Sequence, residues 1–146
     1  MKQTILILGA GAAGMMAAIS SKTHHPDAHV MIIDSNSRLG VKLRLTGGGR
    51  CNLTADVSHD EIIKHTPRNG RFCFSSLSEF GPKDIMDFFE TRGLKLKEED
   101  HHRIFPITNK ADDVVDILEK ELNKLNIQKE TKTKINGIDT LQKNLL

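Results

Sequence analysis

The sequence predicts an α/β fold built on a parallel sheet, and three observations carry that expectation. An apolar run, Ile5-Leu6-Ile7-Leu8, breaks at once into Gly9-Ala10-Gly11-Ala12-Ala13-Gly14. An alanine-rich stretch then runs as far as His25-Pro26. A second apolar run, Ala28-His29-Val30-Met31-Ile32-Ile33, follows and ends on an acid, Asp34. Strand, tight turn, helix and second buried strand is the order of a βαβ unit.

The first turn has the spacing G-x-G-x-x-G, in which each glycine has a separate task. Gly9 permits the turn, Gly11 lets the backbone approach a pyrophosphate, and Gly14 lets helix and strand pack closely. Amide N–H groups at the helix start then point at phosphate, aided by the helix dipole. Glycine-rich turns follow strands for purely structural reasons too. Asp34 favours the nucleotide reading, because an acid twenty positions after Gly14 suits the hydroxyls of a ribose. The same charge repels a 2′-phosphate, which makes NADP the least expected occupant of this turn.

Composition narrows the class. A length of 146 residues allows one domain with a real core, and we expect 1–146 to form a single Rossmann-like portion. A hydrophobic share of 38% and a charged share of 27% fit a folded, water-soluble chain. The net charge of +2 is too small to imply a polyanionic partner, and without Trp or Tyr there are few platforms for stacking bases, so no nucleic-acid partner is expected. No run approaches the roughly twenty apolar residues of a membrane span, so no membrane partner is expected either. The start has Lys2 before an apolar run, but glycines break that run too early for a signal peptide. Cys51 and Cys73 fit no C-x-x-C pattern and read as reduced thiols in the cytoplasm. Without a secretory signal, the sequon Asn52-Leu53-Thr54 carries no meaning.

Beyond Asp34, Ser35 to Leu39 is polar and turn-like. The next stretch, Val41-Lys42-Leu43-Arg44-Leu45-Thr46-Gly47-Gly48-Gly49-Arg50-Cys51-Asn52-Leu53-Thr54, is unusual. Three successive glycines suit no regular element, since each loses more backbone freedom on ordering than other residues. Flanked by Lys42, Arg44 and Arg50, they read as a loop lying against a flat or anionic ligand; a flexible linker would not be bounded by apolar residues and arginines on both sides.

Downstream, Ser58 to His65 reads as a short helix capped by Ser58, with Asp60 and Glu61 at its positive end. Phe72 to Phe80 and Pro82 to Arg92 read as two more helices. Pro82 suits a first helical position, Ile85, Met86, Phe88 and Phe89 form an apolar face that belongs to the core, and Gly93 is the stop. Leu94 to Lys97 alternates as a half-buried strand, Arg103 to Pro106 can return beside it, and Glu98 to His102 is the polar turn between them. His101 and His102 are adjacent and lack zinc-like spacing, so a solvated tip is expected and no metal. Lys110 to Leu125 has the clearest helical period, with Ala111, Val114, Val115, Leu118, Leu122 and Leu125 on one face and Asn109 as N-cap. Ile127 to Thr133 reads as the next parallel strand, reached by a right-handed crossover, and Ile135 to Leu146 begins a further one.

With these residues in hand, the chain strongly resembles the bacterial flavoprotein family often labelled NAD(P)/FAD-dependent oxidoreductase, whose signature is T-G-G-G-R-C-N-L-T, here Thr46 to Thr54. Phe80-Gly81, Asp84, Gly93-Leu94, Arg103-Ile104-Phe105-Pro106 and Lys110-Ala111-Asp112-Asp113 agree with it. Such proteins usually carry glutamate where this chain has Asp34, one methylene shorter, and they are much longer, so the resemblance covers their opening portion.

The resemblance implies that Gly9, Ala10, Gly11, Ala12, Ala13 and Gly14 hold the pyrophosphate of FAD and that Asp34, with Ser35 beside it, takes the adenosine ribose. It implies that Thr46, Gly47, Gly48, Gly49, Arg50, Cys51 and Asn52 lie near the flavin or its phosphates. Arg50 would supply positive charge, with Lys42 a weaker candidate, since a cation near flavin N1 stabilises the anionic reduced form. A reduced nicotinamide, NAD(P)H, is the expected electron donor, and the substrate a small molecule. No residue reads as a dedicated acid or base. Cys51 reads better as a small packed residue than as a redox thiol, having no cysteine partner nearby. Two alternatives stay open: a non-catalytic module binding NAD or ADP, and an inactive piece of a flavoenzyme.

Overall fold

A computed structural model of the chain describes residues 3–139. In order these form β1 (Thr4–Leu8), α1 (Ala12–His24), β2 (His29–Ile33), β3 (Thr54–Ala55), α2 (His59–His65), α3 (Phe74–Glu79), α4 (Pro82–Glu90), β4 (Leu96–Glu99), β5 (Arg103–Pro106), α5 (Ala111–Lys124) and β6 (Gln128–Glu130). The described residues fall into two compact units. One runs up to Leu39 and resumes at Leu122; the other is Gly40–Glu121.

The first unit is the expected Rossmann-like α/β layer. Its sheet is parallel in the order β1-β2-β6, with Thr4 to Leu8 opposite His29 to Ile33, and Met31 to Ile33 opposite Gln128 to Glu130. In the central strand Val30 and Ile32 are fully buried, as are Met15 and Ala18 of α1. The helix ends before Pro26, where Lys22 Nζ donates to the carbonyls of Pro26 and Ala28, both at 2.7 Å. That places a cation at the negative end of the dipole. The third strand is shorter than the Ile127 to Thr133 expected: Lys132 takes a left-handed φ of 56° that breaks the regular ladder, although the Lys132 and Thr133 N–H groups still donate to Asn36 O and Asp34 O. Residues 135–139 form no regular element, and the rest of the strand expected there lies outside the described residues.

The second unit holds an antiparallel sheet in the order β3-β5-β4. The expected pairing of the two later strands is present but slides by two residues, with Leu96 opposite Pro106 and Glu99 opposite Arg103. Glu98 and Glu99 are therefore strand residues, and the turn shrinks to Asp100–His102. Helix α2 is capped as expected, Ser58 Oγ accepting from the Glu61 N–H at 3.2 Å. Helix α4 starts at Pro82, buries Phe89, and stops before Gly93 at φ 87°. The expected helix over Phe72 to Phe80 is corrected to a 3-10 turn, Gly70–Cys73, followed by the short α3. Asn109 is corrected too: at φ 56° it stands two residues before α5, and the Thr108 hydroxyl bonds the Asp113 carboxylate of the first turn.

Candidate dinucleotide-binding site

The glycine turn in the first unit has the geometry its spacing requires. Gly9 has φ 97°, a conformation costly for any residue with a Cβ, and its N–H donates to the Ile33 carbonyl at 2.7 Å. A Cβ at Gly14 would lie 1.8 Å from the Gly9 carbonyl oxygen, so α1 can rest on the turn only because none is there. At Gly11 an added Cβ meets nothing within 4 Å. That glycine is demanded neither by neighbours nor by its backbone, which is extended at φ −78° and ψ −173°; the space beside it is an open cradle. First-turn amides of a helix have no intrahelical acceptor, and no acidic side chain sits in the first turn of α1 to compete for them. Ala12 and Ala13 are exposed there. The residues present therefore fit a diphosphate.

Asp34 turns toward this cradle. Its Oδ2 accepts from the N–H of buried Ala10 at 2.6 Å, and its Oδ1 accepts from the backbone N–H and the side-chain amide of Asn36, both at 2.7 Å. A carboxylate offers about four acceptor positions, so three are filled internally and one is left for a ribose hydroxyl. The main chain is pinned as well, the Asp34 N–H donating to Glu130 O at 2.8 Å and the Thr133 N–H to Asp34 O at 3.0 Å. Burial works to raise the Asp34 pKa, but the bonds from Ala10 and Asn36 outweigh it and hold the carboxyl below its usual range. Ser35, next in the chain, is exposed.

In the second unit the triple-glycine loop is not a slack connection. Leu43–Gly49 forms 3-10 turns broken at Thr46, and Gly47, Gly48 and Gly49 all have positive φ, 56°, 67° and 85°. A Cβ at Gly47 would sit 2.8 Å from Asn52 N and 3.0 Å from a Phe105 ring carbon, whereas at Gly48 it meets nothing within 4 Å. Arg50 closes the loop. Its Nε donates to the Gly47 carbonyl at 3.3 Å, its Nη1 reaches both oxygens of Glu99 at 3.0 and 2.9 Å, and its guanidinium lies 4.2 Å over the Phe105 ring. Lys97 Nζ also reaches Glu99, at 2.8 Å. The bond from Lys97, then that from Arg50, holds the Glu99 carboxyl below its usual range.

Cys51 is fully buried at φ 61°, and its N–H donates to Thr46 O at 3.0 Å. Burial pushes its thiol up, only partly opposed by the Thr46 side chain. The Asn52 side-chain amide, oriented to donate, reaches the carbonyls of Thr54 at 2.9 Å and Ile104 at 3.2 Å. Lys42 is exposed, while Arg44 is bound to Asp112 of α5 at 2.6 Å. Glu99, Lys97 and Phe105 were missed as site residues by sequence reasoning. Lys97 and Glu99 share one face of β4, a period-2 signal that becomes readable only once the register is known.

A parallel βαβ unit with this glycine turn and an acid at the end of its second strand defines a Rossmann-type domain. The chain belongs to the family described as HI0933-like protein Rossmann domain, whose model matches residues 3–146. It is 32% identical over 132 residues to the 3-dehydro-bile acid delta(4,6)-reductase of Clostridium scindens, a match that covers 90% of this chain and 32% of that protein. It is 33% identical over 122 residues to the ribosomal RNA dihydrouridine synthase of Escherichia coli, covering 84% of this chain and 29% of that protein. The chain thus spans about a third of the length of these relatives. The crystal structure of Thermovibrio ammonificans THI4 has the same fold, with TM-score 0.54 and 12% identity over 93% of this chain and 43% of that one. Among the described residues, no helix is long and apolar enough to cross a membrane.

Proposed function

We propose that this chain is the FAD-binding portion of a flavin-dependent oxidoreductase that takes electrons from a reduced nicotinamide and passes them to a small organic substrate. The observation that carries the reading is the Asp34 carboxylate, bonded to the Ala10 amide at 2.6 Å beside the open space at Gly11. When bound, FAD supplies the two-electron chemistry. The chain's own residues hold and tune it. Amides of Ala12, Ala13 and Gly14 take the diphosphate and Asp34 takes the adenosine ribose; in the second unit the loop from Thr46 to Asn52 carries Arg50, whose charge Glu99 balances. One relative is named a 3-dehydro-bile acid delta(4,6)-reductase, and that name supports reduction of a small organic substrate. The two free thiols suit the cytoplasm.

Purification of the chain with added FAD tests the proposal. A stoichiometric yellow chromophore that survives gel filtration is expected; a colourless protein that gives no heat with FAD in calorimetry overturns it. Asp34 serves equally a second reading, a module that holds NAD or ADP without catalysis, because the adenosine ribose is common to all three ligands. A colourless protein that binds NAD selects that reading.

A further inference from the structure

We propose that a groove in the second unit, walled by α2 on one side and the turn Asp100–His102 on the other, binds a small amphipathic anion: an apolar body carrying one carboxylate or sulfonate. The groove has a volume of about 610 Å³. Small-molecule sites fall between about 300 and 1,000 Å³. Its floor is apolar, made by Ala55, Val57 and Ile62, and is held by β3–β5 pairing and by the Val57 N–H donating to Ala55 O at 2.9 Å.

Three imidazoles line it, and they are not equivalent. His65 Nδ1 faces Glu61 at 3.3 Å, and His102 Nδ1 faces Glu98 at 2.5 Å, so each of these two imidazoles already faces a carboxylate. His101 has no side-chain partner among the described residues. Its ring N–H is a hydrogen-bond donor in either tautomer, and a full cation when protonated. The ligand this combination suits is an apolar body against Val57 and Ile62 with its acidic group at His101.

The backbone holds His101 in place at a cost. His101 and His102 are consecutive non-glycine residues at φ 61° and 57°. Left-handed backbone costs about 1–2 kcal/mol for such residues and persists where the surroundings impose it. Here the Asp56 N–H donates to His102 O at 2.8 Å and Arg103 Nε to Asp100 O at 2.9 Å, which pins the turn against the floor.

NMR of the full chain, titrated with 2-naphthoate and separately with its neutral isostere 2-naphthamide, tests this without reference to flavin. Naphthoate should shift the methyl resonances of Val57 and Ile62 and the ring of His101, saturably. In His101→Asn, which keeps a residue tolerant of positive φ but removes the ring N–H, the naphthoate Kd should rise about fivefold, the loss expected for one hydrogen bond, and naphthamide, whose carbonyl is a weaker acceptor than a carboxylate, should lose less. Ile62→Asp should weaken both ligands, naphthoate more. No shifts at these residues, shifts spread instead over the exposed Phe72 and Phe74, or a His101→Asn chain that binds naphthoate like the parent would each overturn the proposal.

Discussion

The Ala10 amide N–H donates to Asp34 Oδ2 at 2.6 Å, joining the glycine turn to the end of the neighbouring strand across 24 positions. One bond thus fixes the carboxylate relative to the amides at the start of α1. Asp34→Ala should weaken binding of FAD, or of NAD if the chain is a module, by about 1–3 kcal/mol, the range for losing a hydrogen bond to a charged group. Calorimetry measures it, and an unchanged Kd would remove Asp34 from the site.

The same contact has a pH signature. The Asp34 carboxyl is held below its usual range in the folded chain, so its contribution to stability is full above the ordinary carboxylate pKa, about 3.9. It is lost as pH falls through the lower folded value. Asp34→Asn should therefore show a shallower loss of denaturation midpoint than the parent between about pH 4 and the lower folded pKa. Parallel acid limbs for the two proteins would contradict the assignment.

Gly11 and Gly14 should separate binding from folding. A methyl at Gly14 must displace the Gly9 carbonyl, 1.8 Å away, so Gly14→Ala should unfold more readily and lose nucleotide binding with it. A methyl at Gly11 touches nothing of the chain, so Gly11→Ala should lose only the roughly 1 kcal/mol by which alanine is the poorer N-cap of α1, while nucleotide binding falls further, because the methyl enters the cradle. Tight binding by Gly11→Ala would show that no ligand approaches there.

The three loop glycines should not be equivalent either. Gly48→Ala meets only the cost of φ 67°, about 1–2 kcal/mol. Gly47→Ala adds contacts at 2.8 and 3.0 Å with Asn52 and Phe105 and should lose clearly more in urea denaturation. Equal losses would mean that the loop relaxes freely.

Cys51 should be inert beside Cys73. Its buried thiol has a raised pKa, so it stays protonated where a free thiol would ionise, and the stability this gives is present below about pH 8.5 and lost as pH rises through the folded value. Iodoacetamide at neutral pH should label half-buried Cys73 and spare Cys51, as read by peptide mass. Rapid labelling of Cys51 would show that the loop opens.

How much of this was legible in the sequence depended on how far apart the deciding residues lie. The order of β1, glycine turn, α1 and β2 follows from local periods and from spacing within a few turns of chain, and so do the Ser58 cap and the Gly93 stop. Residues that decide such features are close in sequence, so the backbone's own preferences settle them. Strand Thr54–Ala55 exists only because Ile104 and Arg103 pair with it, and nothing in two residues announces that.

The partner of Arg50 was equally hidden. Sequence pattern picked out the arginine for its charge, but Glu99 stands 49 positions away and reaches it only through the antiparallel register that also carries Phe105 under the guanidinium. By itself the sequence determined the parallel fold, the glycine turn and the acid at the end of the second strand. The tertiary structure alone decided how Asp34 is fixed, what balances Arg50 and where the strained His101 faces, because charge partners and left-handed turns are selected by closing long stretches of chain and not by any local period.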